Sequence, residues 1–221
     1  MRIVRTTGIL FILLLSIYAA MSTAASAALP EFLGNVVGNT FTATSGKAEL
    51  LAPANNVKIV CEKDTISLAN GKVTGAKTIE VVIDFEQCTD LGFAANTLGD
   101  KNDTEGKKLG LILVPVKGEL CYITAATKHV GIFFTVPTLH IEVPTLAELL
   151  ELKGSVIGLI APDNKLMTGP YTLTLAKENI KECGVAKAVL LYETNHDKKP
   201  IAGEMITTET ITFDKEIELM A

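Results

Sequence analysis

The chain has 221 residues, 48% of them hydrophobic, and carries 25 acidic against 20 basic side chains for a net charge of −5. With no lysine-rich stripe to offset that acidity, nucleic acid and anionic membrane are poor partners. Tryptophan is absent and aromatics make up 5%, which weakens any case for sugars or single-stranded nucleic acid stacked on aromatic platforms.

The chain opens "MRIVRTTGILFILLLSIYAAMSTAASAALPEF". Arg2 and Arg5 form a positive start, and Gly8 to Ala20 is an apolar core of signal-peptide length. Ala25-Ser26-Ala27 fits the small-x-small cleavage rule, so residues 1–27 are expected to be a signal peptide and Ala28 the mature N-terminus. Cleavage leaves 194 residues with a net charge of −7, because Arg2 and Arg5 are lost. No cysteine near the cleavage site invites a lipid anchor. Leu109 to Val116, "LGLILVPV", is too short to span a bilayer and reads as a buried strand. The expected protein is secreted or displayed at the cell surface, with no membrane association in its mature form.

Period-two alternation recurs along the rest. In "TIEVVIDF", Ile79, Val81, Ile83 and Phe85 share one face; in "YTLTLAK", Tyr171, Leu173 and Leu175 do; in "ETITFDKEIEL", Ile211 and Phe213 precede a turn at Asp214-Lys215, and Ile217 and Leu219 follow it. Further strands are expected at Thr40–Thr44, Lys47–Leu51, Val57–Cys61, Leu109–Val116, Glu119–Thr124, His129–Val136, Leu139–Val143, Ala186–Glu193 and Glu204–Thr207. Turn signals at Ala54-Asn55-Asn56, Asn70-Gly71, Pro162-Asp163-Asn164 and Asn195-His196-Asp197 separate them. The pattern predicts an all-β fold: a single domain over residues 28–221, an antiparallel β-sandwich or barrel of about a dozen short strands. One segment dissents. "PTLAELLELKG", Pro144 to Gly154, carries a helix-start signature, with Thr145 as cap and Glu148 completing a capping box. Leu91 to Lys108 is polar and glycine-rich and reads as a surface loop.

The motifs that carry chemistry are few. "GSVIGLIAPDNKLMTG", Gly154 to Gly169, has neither the spacing of a phosphate loop nor that of a dinucleotide fingerprint. It reads as a strand whose glycines permit a bulge or a close neighbour, followed by a turn. His129, His140 and His196 are isolated, and no nucleophile elbow accompanies them. "DKNDTEG" offers Asp100, Asn102, Asp103 and Glu105 but departs from a calcium loop; "NDT" at Asn102 is formally a glycosylation sequon. Cys61, Cys88, Cys121 and Cys183 are too far apart for zinc. Their even number in an exported chain predicts two disulfides, and spacing leaves all three pairings open. No catalytic, metal or cofactor residue is assigned.

Six stretches in order, "LPEF", "TSGKAEL", V-x-x-V-C at Val57–Cys61, F-x-x-C at Phe85–Cys88, G-x-L-x-Y-I at Gly118–Ile123 and "GSVIG", resemble a group of uncharacterised secreted β-rich proteins of soil actinobacteria. The resemblance implies export and an all-β fold, and brings no activity with it. It favours a strand over Leu149–Lys153. That group often has one cysteine soon after F-x-x-C and another before GSVIG; here both are missing, while Cys121 and Cys183 are present. One pair absent together and another present together implies Cys61–Cys88 and Cys121–Cys183. The expected function is an exported non-enzymatic binding or structural module for an unidentified extracellular ligand or surface component. An extracellular hydrolase with a site invisible in sequence is the alternative, and a self-associating coat protein a third reading.

Overall fold

The computed structural model describes residues 30–98, 110–124, 129–175, 182–183, 186–196 and 198–221. The expected signal peptide, the Asp100–Glu105 cluster and the Asn102 sequon lie outside them. The helical turns among the described residues are two single 3-10 turns, Pro53–Asn55 and Pro144–Leu146.

Eight strands form a closed ring: β1 (Phe41–Ser45), β2 (Lys63–Ile66), β3 (Thr78–Glu86), β4 (Ile112–Thr124), β5 (His129–Val143), β6 (Glu148–Ala161), β7 (Tyr171–Leu175) and β8 (Glu204–Phe213). Each pairs antiparallel with the next, and β8 returns to β1 from Phe41↔Phe213 to Ser45↔Glu209. The sandwich-or-barrel question resolves as an up-and-down barrel, which leaves no free edge around the ring. An eight-stranded ring has a lumen just wide enough for side chains, and alternation fills it. Ile79, Val81, Ile83 and Phe85 point in from β3, Ile132 and Phe134 from β5, Val156 and Ile160 from β6, and Leu173 and Leu175 from β7, all buried. At one end Phe213 stacks against Phe41, Tyr171 and Phe32. Phe32 belongs to a short strand, Glu31–Leu33, in a three-stranded sheet with Ile217–Met220 and Leu166–Met167.

Between β1 and β2 the chain makes a hairpin, Ala48–Ala52 with Val57–Cys61, which pairs with the first residues of β8 and with Thr89–Asp90. The first half of β6 stays paired with β5 and on its other side pairs with Leu190–Thr194 in place of β7. Leu150, Leu152 and Tyr192 from this extension share one core with Leu50, Ile59 and Met205 of the hairpin side.

Two expectations, the number and the length of the strands, are corrected, and the strand expected over Leu149–Lys153 is present. Among the described residues the strands number 21, not about a dozen, and they are not uniformly short: β4, β5 and β6 have 13, 15 and 14 residues. The segments expected at Leu109–Val116 and Glu119–Thr124 merge into β4. Those at His129–Val136 and Leu139–Val143 merge into β5, with a register shift between Val136 and Leu139, at Pro137, where the ladder loses a donor. The helix signature in "PTLAELLELKG" yields one 3-10 turn without a side-chain cap, ended by Ala147 at φ 51°. From Glu148 on the chain is strand, because neighbours on both sides hold it and Leu150 and Leu152 bury only in that form.

The GSVIG stretch is strand, as its alternation predicts. Gly154 sits at φ +123°, and a Cβ there would lie 2.0 Å from the Val189 carbonyl oxygen. Gly158 faces the lumen opposite Ile132, where a Cβ would meet Leu173 Cδ1 at 2.6 Å.

Candidate functional site

The four cysteines form the two bridges the resemblance implied. Cys61, at the end of the hairpin, joins Cys88, just after β3, with Cα atoms 3.9 Å apart and both residues fully buried. Cys121, on the outer face of β4, joins Cys183 with Cα atoms 5.4 Å apart. Ile157, Phe133 and Ala188 pack around that second bridge. Gly131 makes room for it, since a Cβ there would approach Cys183 Sγ to 3.2 Å. The histidines do not converge. His129 and His140 stand near opposite ends of β5 and are exposed, and His196 lies in an exposed bend. His140 Nε2 lies 3.5 Å from the Glu151 carboxylate, which Lys153 also contacts and thereby holds below the usual carboxylate range.

A groove of about 550 Å³ crosses the outer wall over β3, β4 and β5. Val82 and Pro115, cross-strand partners, form its floor with Thr135 and Pro137. Lys72 and an ion pair between Lys117 and Glu80, 3.0 Å long, stand at its rim. The neighbouring turn closes over it through the Val82 amide, which donates to the Asn70 carbonyl at 3.0 Å. Pro115 and Pro137 are short and carry no amide hydrogen, so the floor is shallow and apolar beside the charged side chains of Glu80 and Lys117. Such a floor can take an aliphatic or aromatic group and leave its polar end beside a lysine.

A second constellation is acidic. Asp90 is buried on its two-residue strand and accepts hydrogen bonds from the backbone of Lys58 and Leu91 and from the Glu148 carboxyl. Burial raises both carboxyls above their usual range; the Asp90 charge lifts Glu148 further, and His196 opposes it. Both carboxyls are therefore easier to protonate than free ones. A carboxylic acid beside a carboxylate is an acid–base pair in form. The exposed apolar side chains of Leu91 and Phe93 stand on the same segment as Asp90.

The third constellation is inside the barrel. Asp64 of β2 and Thr207 and Glu209 of β8 point into the lumen and are 0%, 2% and 0% exposed. Thr207 Oγ1 donates to Asp64 Oδ2 at 2.6 Å, and the Asp64 amide donates to Ser45 Oγ at 3.0 Å. Asp64 Oδ1 and both Glu209 carboxylate oxygens have no hydrogen-bond partner. Burial, then the charge of Asp64, pushes the Glu209 pKa up to about 8, and burial raises that of Asp64. Inspection of the sequence for motifs misses all of these acids. The signal was present as phase: Glu209 is in step with Ile211 and Phe213, and Asp64 with Ile66, so each falls on its strand's inward face. No protein-family model, curated protein or solved structure matches the chain.

Proposed function

We propose that the protein is an exported, non-enzymatic β-barrel acting as an extracellular or cell-surface binding module, with the groove over β3, β4 and β5 as its ligand site. The observation that carries this is the apolar floor of Val82, Pro115 and Pro137, open between the charged side chains of Lys72, Glu80 and Lys117. The lumen is filled by side chains, so a ligand meets the outer wall and not the interior. Two disulfides fit an oxidising compartment. Apart from Asp64, Thr207 and Glu209 the lumen is lined by apolar side chains, while Glu80, Lys117 and Glu119 project outward exposed, the reverse of a transmembrane barrel, which supports a mature form free in water. Fragment screening by NMR, with small aromatic and aliphatic carboxylic acids as probes, tests the site. Amide shifts centred on Val82, Lys117 and Thr135 are expected, and they should vanish in Val82→Asp. Shifts clustered elsewhere, or none at millimolar probe, would refute the assignment.

The hydrolase reading keeps one observation in its favour, the hydrogen-bonded pair of carboxyls Asp90 and Glu148, both raised by burial. Turnover of a peptide or glycoside substrate that Glu148→Gln abolishes, in a variant that melts like the parent, would establish it over the binding reading.

A further inference from the structure

The wall of the barrel forks between β6 and β8. β7 is five residues long and stands between strands of 14 and 10 residues. It ties them together only at residues 159–161 of β6 and 207–211 of β8. Beyond its reach each strand takes another partner: β6 pairs with Leu190–Thr194, and residues 204–206 of β8 pair with residues 49–51. A cavity of about 550 Å³ fills the fork, apart from the groove over β3, β4 and β5, and its size is that of a small-molecule site. Pro53, Ala188, Val189 and Ala202 are among its walls, and Val189 is half exposed. Among the described residues Glu204 is the one charged side chain that lines it. Three backbone donors of the walls are already engaged. The Ser155 amide donates to the Val189 carbonyl at 2.9 Å, the Val189 amide to Ser155 Oγ at 3.1 Å, and the Gly203 amide to the Leu190 carbonyl at 2.9 Å. Glu204 is the exception, because its Oε2 is buried and has no hydrogen-bond partner. A carboxylate oxygen kept from water without a donor is costly, so the fork holds an unmet acceptor beside an apolar space.

We propose that this cavity binds an organic cation, a primary ammonium group on a compact aliphatic or aromatic body. An ammonium brings three donors and a positive charge, which is what Glu204 Oε2 lacks. The body lies against Pro53, Ala188 and Val189, where it removes apolar surface from water. Charge decides the ligand class. A ligand carboxylate would meet Glu204 with no lysine or arginine among the described lining residues to offset it. An alcohol would supply one donor and no charge. Hydrogen bonds between charged partners are roughly twice as strong as neutral ones, and a partly buried pair is screened less by salt than one on open surface. The site does not depend on the groove, whose rim bears Lys72 and Lys117 and suits the opposite charge. The two sites therefore sort small amphiphiles by the sign of their charge.

The test is an NMR titration of the protein with both disulfides formed. Phenethylamine is the probe, with phenethyl alcohol as its neutral isostere and hydrocinnamate as its anionic counterpart. The amine should shift the amides of Ser155, Val189, Gly203 and Glu204, and bind about tenfold more tightly than the alcohol. Hydrocinnamate should leave those amides unmoved. Glu204→Gln keeps the side-chain size; it should bring the amine down to the affinity of the alcohol and leave the alcohol unchanged. The preference of the parent chain for amine over alcohol is itself decisive, so a variant that misfolds does not spoil the result. Equal binding of amine and alcohol by the parent, amine shifts centred elsewhere, or none at millimolar amine would overturn the proposal. So would full amine affinity in folded Glu204→Gln. None of these outcomes bears on the groove, whose own probes are acids.

Discussion

The bridge between Cys61 and Cys88 ties the outer hairpin to the end of β3, and its removal should be costly. The perturbation is the double substitution Cys61→Ala with Cys88→Ala, which leaves Cys121–Cys183 in place. The two residues are 27 apart in sequence, and closing a loop of that length in the unfolded chain corresponds to about 3.5 kcal/mol of loop entropy. Both sulfurs lie in a fully buried part of the core, so truncation to alanine adds a cavity contribution of about 1 kcal/mol. For a domain of this size each kilocalorie moves the melting temperature by roughly 2–4 °C. The variant should melt about 9–18 °C below the parent. Differential scanning calorimetry at neutral pH measures the midpoint, and urea titration gives the free energy with a check that the m-value is unchanged. A fall of less than about 3 °C at constant m-value would refute the reasoning. It would mean that the hairpin is held by its ladder and core contacts alone.

Stability should also fall with rising pH. The folded chain retains a proton on Glu209 up to about pH 8, whereas an unfolded glutamate loses it near its ordinary value of 4.5. The stabilisation present below the lower value is therefore lost at about 1.4 kcal/mol per pH unit until the curve levels above the higher one. Glu209→Gln should flatten that part of the curve; an unchanged slope in urea titrations at pH 5 and 8 would count against the buried charge. Among glycines, Gly154→Ala should be worse than Gly158→Ala. At Gly158 the new methyl meets the movable end of Leu173, for roughly 1–3 kcal/mol of overpacking. At Gly154 it meets a backbone carbonyl from a left-handed conformation, for about 3 kcal/mol or more, and the reverse order in denaturant melts would refute the placement of this turn of chain.

Strand character was legible because alternation is a local property. "TIEVVIDF" and "YTLTL" each show one buried face, and the structure buries those faces. Closure was not legible, since sandwich and barrel strands alternate alike and only the pairing of β8 with β1 distinguishes them. Strand length was blurred where Pro115 and Gly118 interrupt β4 and Pro137 interrupts β5, breaks that long-range ladders bridge. The helix signature at Thr145 and Glu148 was a correct local preference that lost to burial of Leu150 and Leu152. The groove was illegible because its floor is assembled from positions 82, 115, 135 and 137 on three strands. Asp64 and Glu209 were legible in phase alone, since acidic residues on strands ordinarily occupy the solvated face.

The order of strands around the ring governs how the chain reaches this state. From β1 through β8 every strand's partner is the next one to emerge, so pairing can advance as a zipper from the N-terminal side. The last junction, however, joins Phe41 to Phe213 and waits for nearly the whole polypeptide. Until then the growing sheet exposes two unpaired margins, the hazard that makes non-local β-topologies slow and prone to association. A chain synthesised from its N-terminus holds β1 open until β8 has been made. Yield of the native protein should therefore depend on how fast β8 arrives, and a truncation before Glu204 should drive the remaining strands into aggregates.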